Sequence, residues 1–386
     1  MSGPLTRDLL NQMLRSDFRF FVWRAFHELN PEIELRWNWH LDALCQAVET
    51  MAATPGDRLA IAVGPRHLKS IIVSIAFVAW MLGRNPALKF LVASYGGELS
   101  GELADQFIKV IEAPWYRAAF PQFKVSRKSD GEIKTTRGGG RKPVSVGGAT
   151  TGFGADYIIV DDLIKAQAAD QPGTRQAGID YFRSGLVTRL NNAETGRIAV
   201  VGQRLHDEDV IGYCLETGIY RYLCLPAIAP GPAEFPLGRG RVHRVKTGDL
   251  LFYPMHVLDQ RRLEMGERAY RAQLLQDTAG TESLFIKWHR IHRYAEQPPR
   301  EAFAVVVQSW DTAQAENAGA DFSVCTTWGF LDGKWWLLHL LRFQKDFAEV
   351  KAQVLAMRAA WRADHVVIED VASGSALLNL LRFERR

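Results

Sequence analysis

Hydrophobic positions divide the chain into stretches of two periods. Over residues 8–53 they recur at helical spacing, with Leu41, Leu44, Cys45 and Val48 in step and Trp37 and Trp39 just ahead. After the turn Pro55-Gly56-Asp57, Leu59–Val63 is an unbroken apolar run of strand length. A Gly-Pro loop leads from it into a long apolar helix that Asn85-Pro86 stops. Leu88–Ser94 reads as a second strand, Glu98–Glu112 as a helix, and Tyr157–Val160 as a third strand. A helical stretch over 171–192 then leads to a fourth strand, Arg197–Val201. Such runs, alternating with helices, predict a parallel sheet covered on both faces.

Two segments break this rhythm. Residues 138–154 are glycine-rich and basic, and Pro226–Gly248 is Pro-Gly-rich, irregular and basic, which reads as a linker or inter-domain loop. From Ala302 a new pattern begins: strands at Ala304–Ser309, Ser323–Phe330 and Trp335–Leu341, a helix at Phe347–Arg362, and a strand at Val366–Ile368. Three consecutive strands, a helix and a further strand fit an α/β domain of the ribonuclease-H type. The expected organisation is a first α/β domain over 1–228, a connecting segment over 229–300 and a second domain over 301–386. There are no internal repeats.

Bulk properties change this picture little. With 386 residues there is chain for two ordinary cores. The composition, 47% hydrophobic and 23% charged, is that of a globular protein. A net charge of +4 permits a nucleic-acid partner only through a local basic surface. Cys45, Cys214, Cys224 and Cys325 form no CxxC pair, which argues against a zinc site or disulfide framework and fits a reducing cytoplasm. The most apolar stretch, Ile71–Leu82, falls short of the ~20 residues of a membrane span. The charged N-terminus does not resemble a signal peptide. A soluble cytoplasmic protein is expected.

Candidate chemistry begins where the first strand ends. Gly64-Pro65-Arg66-His67-Leu68-Lys69-Ser70 feeds directly into a helix, the setting of a phosphate-binding loop whose backbone N–H groups face the phosphates of ATP. Lys69 would neutralise β/γ charge and Ser70 would ligate Mg²⁺. The strict pattern G-x-x-x-x-G-K-[ST] is not met: Gly64 comes one place late, and Leu68 replaces the second glycine. The apolar strand Ile158-Ile159-Val160 then ends in two carboxylates. Asp161 would hold Mg²⁺ through water and Asp162 would polarise the attacking water. A helix cap alone would need only one. After the fourth strand comes Gln203-Arg204-Leu205-His206-Asp207-Glu208-Asp209, where Arg204 is placed to sense the γ-phosphate; the acidic run equally suits a solvated helix start.

A second set of carboxylates lies in the second domain. Asp311 ends its first strand in Ser309-Trp310-Asp311-Thr312-Ala313, Asp321 follows ten residues on, and Glu369-Asp370 ends the last strand. Carboxylates at adjacent strand ends can converge on two Mg²⁺ or Mn²⁺ ions and support phosphodiester hydrolysis; each aspartate could also cap a turn.

Together these segments resemble the large terminase subunit of tailed phages and prophages, over most of the chain. In that family the loop often reads PPRH(G/L)KS, which makes Leu68 a familiar variant, although Gly64 stands where proline is usual. Asp161-Asp162, the run QRLHDED, and Gly266–Gln276 (family G-x-x-x-(F/Y)-x-A-Q-Y-x-Q) carry the rest. The resemblance implies that Arg66 is an arginine finger, that His40 contacts adenine, and that Asp311 and Glu369 are nuclease metal ligands. It implies ATP-driven packaging of double-stranded DNA by a ring of subunits on the portal protein, with a small terminase subunit, in host cytoplasm while docked on the procapsid. The family also supplies a late aspartate from an acidic cluster. The chain stops at Arg386, and Glu384 stands in no such cluster, so the nuclease domain is expected to be incomplete and its cleavage weak or absent.

DNA would be held through phosphates, and the candidate contacts are Arg137–Lys142 and the Arg239–Arg244 loop. Two alternatives are a helicase-like P-loop ATPase, which would lack Asp311 and Glu369, and a non-catalytic prophage remnant that binds DNA.

Overall fold

Polar caps divide the predicted N-terminal helix into three. Thr6 accepts from Leu9 N ahead of α1 (Arg7–Ser16), Asp17 from Arg19 N and Phe20 N ahead of α2 (Phe18–Leu29), and Asn38 from Trp39 N ahead of α3 (Trp39–Ala53). The computed structural model describes residues 6–148, 152–278, 294–312 and 322–369. The chain divides into two units, Met1–Phe285 and Ile286–Arg386.

In the first unit, β1 (Arg58–Val63) runs through the loop Gly64–Ser70 into a π-helical turn, Ile71–Ala76, which continues as α4 (Phe77–Arg84). Next come β2 (Lys89–Ser94), α5 (Gly97–Glu112) and α6 (Pro114–Ala119). A hairpin, β3 (Val125–Ser129) and β4 (Glu132–Thr135), is an element the hydrophobic pattern does not predict. The adjoining β5 (Gly140–Ser145) is a strand inside the glycine-rich basic stretch. The remainder is β6 (Tyr157–Asp161), α7 (Pro172–Asp180), β7 (Arg197–Gly202), α8 (Val210–Glu216) and β8 (Arg221–Leu225).

The strands form one sheet in the order β3-β4-β5-β2-β6-β7-β1-β8, parallel from β5 to β8 and antiparallel only at the β3–β4–β5 edge. Alternate residues of β1 serve two different cores. Leu59, Ile61 and Val63 join the core built with the N-terminal helices, α4 and α5. Ala60 and Ala62 join the core built with α7 and α8. That is why the run is unbroken rather than alternating.

Much of the segment read as a connector is folded into this unit. An antiparallel hairpin, β9 (Ala233–Gly238) and β10 (Arg241–Val245), lies against α3, with the Trp39 ring stacked 4.3 Å from His243. Two helices, α9 (Met255–Met265) and α10 (Glu267–Leu275), share a small core of Ala227, Leu258, Tyr270 and Leu274.

The second unit has β11 (Val305–Asp311), β12 (Ser323–Leu331), β13 (Lys334–Phe343), α11 (Phe347–Trp361) and β14 (His365–Ile368). Strand order is β13-β12-β11-β14; the first three are antiparallel, and β14 returns parallel to β11 after α11. Asp346 caps α11 by accepting from Glu349 N. Val350 and Val354 of that helix pack on Trp310, Cys325 and Ile368, so one face of the sheet is covered by α11. No helix among the described residues is long and apolar enough to cross a membrane.

Candidate functional site

The predicted phosphate loop, Gly64–Ser70, lies at the C-terminal end of β1, where parallel sheets open toward ligands. Leu68 adopts φ +60° and Arg66 φ +66°. The left-handed backbone that glycine supplies in the strict pattern is therefore present here with leucine, at a cost of ~1–2 kcal/mol. Ile72 N donates to Leu68 O at 2.9 Å and closes the loop onto its helix. His67 is buried inside the loop: Nδ1 donates to Pro65 O at 2.9 Å, with Gly64 O at 3.2 Å, which leaves Nε2 unprotonated and without a partner. Burial holds its pKa below the usual histidine value.

The acidic pair reaches the loop from β6, one strand removed across β7. Asp161 is fully buried and accepts from Ser74 Oγ at 2.6 Å and Ser70 Oγ at 3.2 Å. Burial, and then the neighbouring charge of Asp162, push its carboxyl up to about 6, against the pull of Lys69 and the two hydroxyls. Asp162 takes φ +45° as it leaves the strand, and its Oδ2 lies 2.9 Å from Lys69 Nζ. The structure thus brings together Lys69, Ser70, Asp161 and Asp162. Ser70 Oγ and the Asp161 carboxylate are the oxygen donors that a hard divalent cation takes, so these residues fit Mg²⁺.

Sequence reasoning gave no role to four further residues. Ser74, from the π-helical turn, makes the shorter hydrogen bond to Asp161. Gln203 ends in a buried, unpartnered Oε1 and lines, with Asp162, Asp209 and apolar side chains such as Leu163 and Ile211, a small cleft of about 30 Å³. Phe252 and Tyr253, from the presumed connector, set their rings 6.1 and 5.5 Å from His67. No short-range pattern marks these last two, because their partners are nearly 190 residues away in sequence.

Other predicted residues are placed as follows. Arg66 is exposed, and Pro65 half-buried. His40 is buried 5.5 Å from His67 and 5.8 Å from Phe252, ring to ring, with Nδ1 unpartnered; burial and then His67 lower its pKa to about 3. The Arg204 guanidinium is committed to its own loop: Nε pairs with Asp209 at 3.1 Å and Nη2 reaches the His206 and Asp207 carbonyls at 3.3 Å. These contacts brace the start of α8.

The DNA candidates divide. Arg137 is exposed at the N-terminal edge of β5, the edge of the sheet away from the phosphate loop. Arg141 is fully buried over the Phe107 ring and cannot meet a phosphate, which corrects its place among the contacts. Arg239, Arg241 and Arg244 pair with Asp17, Asp42 and Glu234 at 2.8, 3.3 and 2.6 Å, which neutralises much of that loop's charge.

In the second unit, Trp310 pairs with Ile368, and Glu369 N donates to Trp310 O at 3.2 Å. Asp311 and Glu369 therefore end adjacent parallel strands. Both are exposed and continue the strand alternation on the face opposite α11. Asp321 and Asp370 lie outside the described residues. Among the described residues no group of three or more metal-ligating side chains occurs.

No family model matches the chain. A curated relative, the terminase large subunit of Enterobacteria phage T3, is 24% identical over 298 residues, 69% of this chain. The chain spans about half of that relative, 48% of its length. Among solved structures, the HK97 bacteriophage large terminase shares 15% identity over 86% of this chain and 69% of its own, with a TM-score of 0.45. The large terminase ATPase domain of Thermus phage P74-26 shares 14% over 64% of this chain and 95% of its own, with a TM-score of 0.38. At the level of sequence, the chain resembles a phage large terminase at low identity over about two thirds of its length.

Proposed function

We propose that the first unit hydrolyses ATP to drive double-stranded DNA translocation, as the motor of a phage large terminase. The observation that carries this reading is the convergence of Lys69, Ser70, Asp161 and Asp162 at the C-terminal end of one parallel sheet. Lys69 and Asp162 neutralise each other at 2.9 Å. When ATP binds, its β- and γ-phosphates replace Asp162 as the partner of Lys69. The freed Asp162 carboxylate then orients a water, with Gln203 as the neighbouring acceptor. Bound Mg²⁺ would neutralise phosphate charge during transfer, and Ser70 and Asp161 are the residues that would hold it. Arg66, exposed on the loop, is the cation free to follow the γ-phosphate; His40 and His67 with Phe252 form the aromatic wall nearest the base.

The test is steady-state ATP hydrolysis by the wild-type chain and Lys69→Ala. Turnover that falls to background in the variant is expected; equal background rates in both would sink the ATPase reading.

A second activity is supported by a separate observation, the adjacency of Asp311 and Glu369. With the strand order β13-β12-β11-β14 it supports a ribonuclease-H-type unit that cleaves DNA with Mg²⁺ or Mn²⁺. Nicking of supercoiled DNA in Mn²⁺ that persists in Asp311→Asn would remove this reading. By the same resemblance, the proposed partners are DNA, a small terminase subunit and the portal protein, in a ring that works in host cytoplasm.

A further inference from the structure

We propose that Gln276 is a positioning residue for ATP hydrolysis: its side-chain amide ties the last turn of α10, which rests on Gly64, to the loop after β7 and so sets the gap between them. The inference rests on the ATPase reading above.

Gln276 stands at the C-cap of α10 with φ +55° and ψ +26°. A helix end of this kind is made most cheaply by glycine, and a glutamine there costs ~1 kcal/mol or more. Its side chain is buried, and both ends of the amide are used. Nε2 donates to Gln273 O at 2.5 Å, and Oε1 accepts from Arg204 N at 2.9 Å.

Each partner belongs to one wall of the candidate nucleotide site. Gln273 O would lie 3.1 Å from a Cβ placed on Gly64, so the last turn of α10 rests directly on the first residue of the phosphate loop. Leu274 Cδ2 approaches the same point to 3.3 Å, and Leu274 O receives Ala227 N at 2.8 Å. On the other side, Arg204 directly follows Gln203, which has a buried, unpartnered Oε1 and lines a small cleft with Asp162. Thr278 Oγ1 adds a hydrogen bond to Asp207 of the same loop. One amide therefore links the last turn of α10, which packs on Gly64, to the backbone of the residue after Gln203.

A helix cap would stabilise the fold without caring where Gln203 sits. A positioning role predicts a selective loss, because displacing a reacting group by about 1 Å costs turnover far more than binding. Gln276→Gly separates the two. It keeps the left-handed backbone at lower strain and removes only the amide, so the chain folds. Gln276→Glu keeps the acceptor for Arg204 N and loses the donor to Gln273 O.

The experiment measures kcat and KM for ATP, affinity for a fluorescent ADP analogue, and Tm, in wild type and both variants. For Gln276→Gly the expected result is unchanged Tm, ADP affinity within about three-fold, and kcat lower by roughly ten-fold or more, with Gln276→Glu between. A wild-type kcat in Gln276→Gly would overturn the proposal, as would a joint fall of Tm, affinity and kcat, which marks a cap alone. Neither result touches the ATPase reading. A wild-type chain without turnover would overturn that reading and this proposal with it.

Discussion

Arg141 is fully buried, with its guanidinium 5.1 Å from the Phe107 ring of α5 and no hydrogen-bond partner for any of its three nitrogens. Burial lowers its pKa to about 9, so it is still a cation at neutral pH. Methionine would fill similar volume without the charge. Arg141→Met is therefore expected to raise stability by about 1–3 kcal/mol in urea denaturation, and a loss of stability would contradict this account of the site. His40 gives a pH dependence. Its folded pKa of about 3 lies below the ordinary 6.5, so the unfolded state binds more protons throughout that window. Stability from this group is whole above pH 6.5 and falls as pH drops toward 3, with about 2 kcal/mol gone at pH 5. His40→Gln should flatten the difference between denaturation curves at pH 7 and pH 5; an unchanged slope would assign it to other groups. The burial of Arg141 was not legible in RGGGRK, where glycines and flanking basic residues suggest exposure. The strand that pulls Arg141 inward is paired with β2, some 50 residues earlier.

The phosphate loop shows, at the scale of an element, what a residue pattern reads and what it omits. The strict pattern asks for glycine at position 68, but the requirement is a left-handed φ, and Leu68 meets it while packing against the main core. Arg66 pays the same conformational cost with an exposed side chain. Arg66→Gly should thus raise stability by about 1 kcal/mol in thermal denaturation while ATP turnover falls; a destabilised variant would contradict the strain argument. The strands β1, β2, β6 and β7 were legible because both faces are buried and each reads as a continuous apolar run. The hairpin β3–β4 was not, since Val125–Ser129 is mostly exposed and polar and is a strand only by pairing at the sheet edge. Likewise β8, Arg221–Leu225, has two exposed residues at its start and takes its register from β1.

Across the whole molecule, two units with separate cores carry two separate groups of carboxylates. The order of the loop, the acidic pair and the β7 exit was legible because each motif sits at a strand end. The motif Gly266–Gln276 was legible only as part of a resemblance; that Phe252, Tyr253 and the end of α10 lie against the Gly64–Ser70 loop was not, because the contact joins segments nearly 190 residues or more apart. In the second unit Asp311 and Glu369 were legible as strand-end carboxylates, and parallel pairing of β11 with β14 brings them side by side. The central claim is that Lys69 exchanges Asp162 for nucleotide phosphates and that Asp162 then serves the water. Asp162→Asn tests both steps at once, because it frees Lys69 and disables the carboxylate. Binding of a non-hydrolysable ATP analogue and hydrolysis of Mg·ATP should be measured in parallel on wild type and Asp162→Asn. The variant is predicted to bind the analogue at least as tightly as wild type and to hydrolyse ATP only at background. Wild-type hydrolysis by Asp162→Asn would contradict the account.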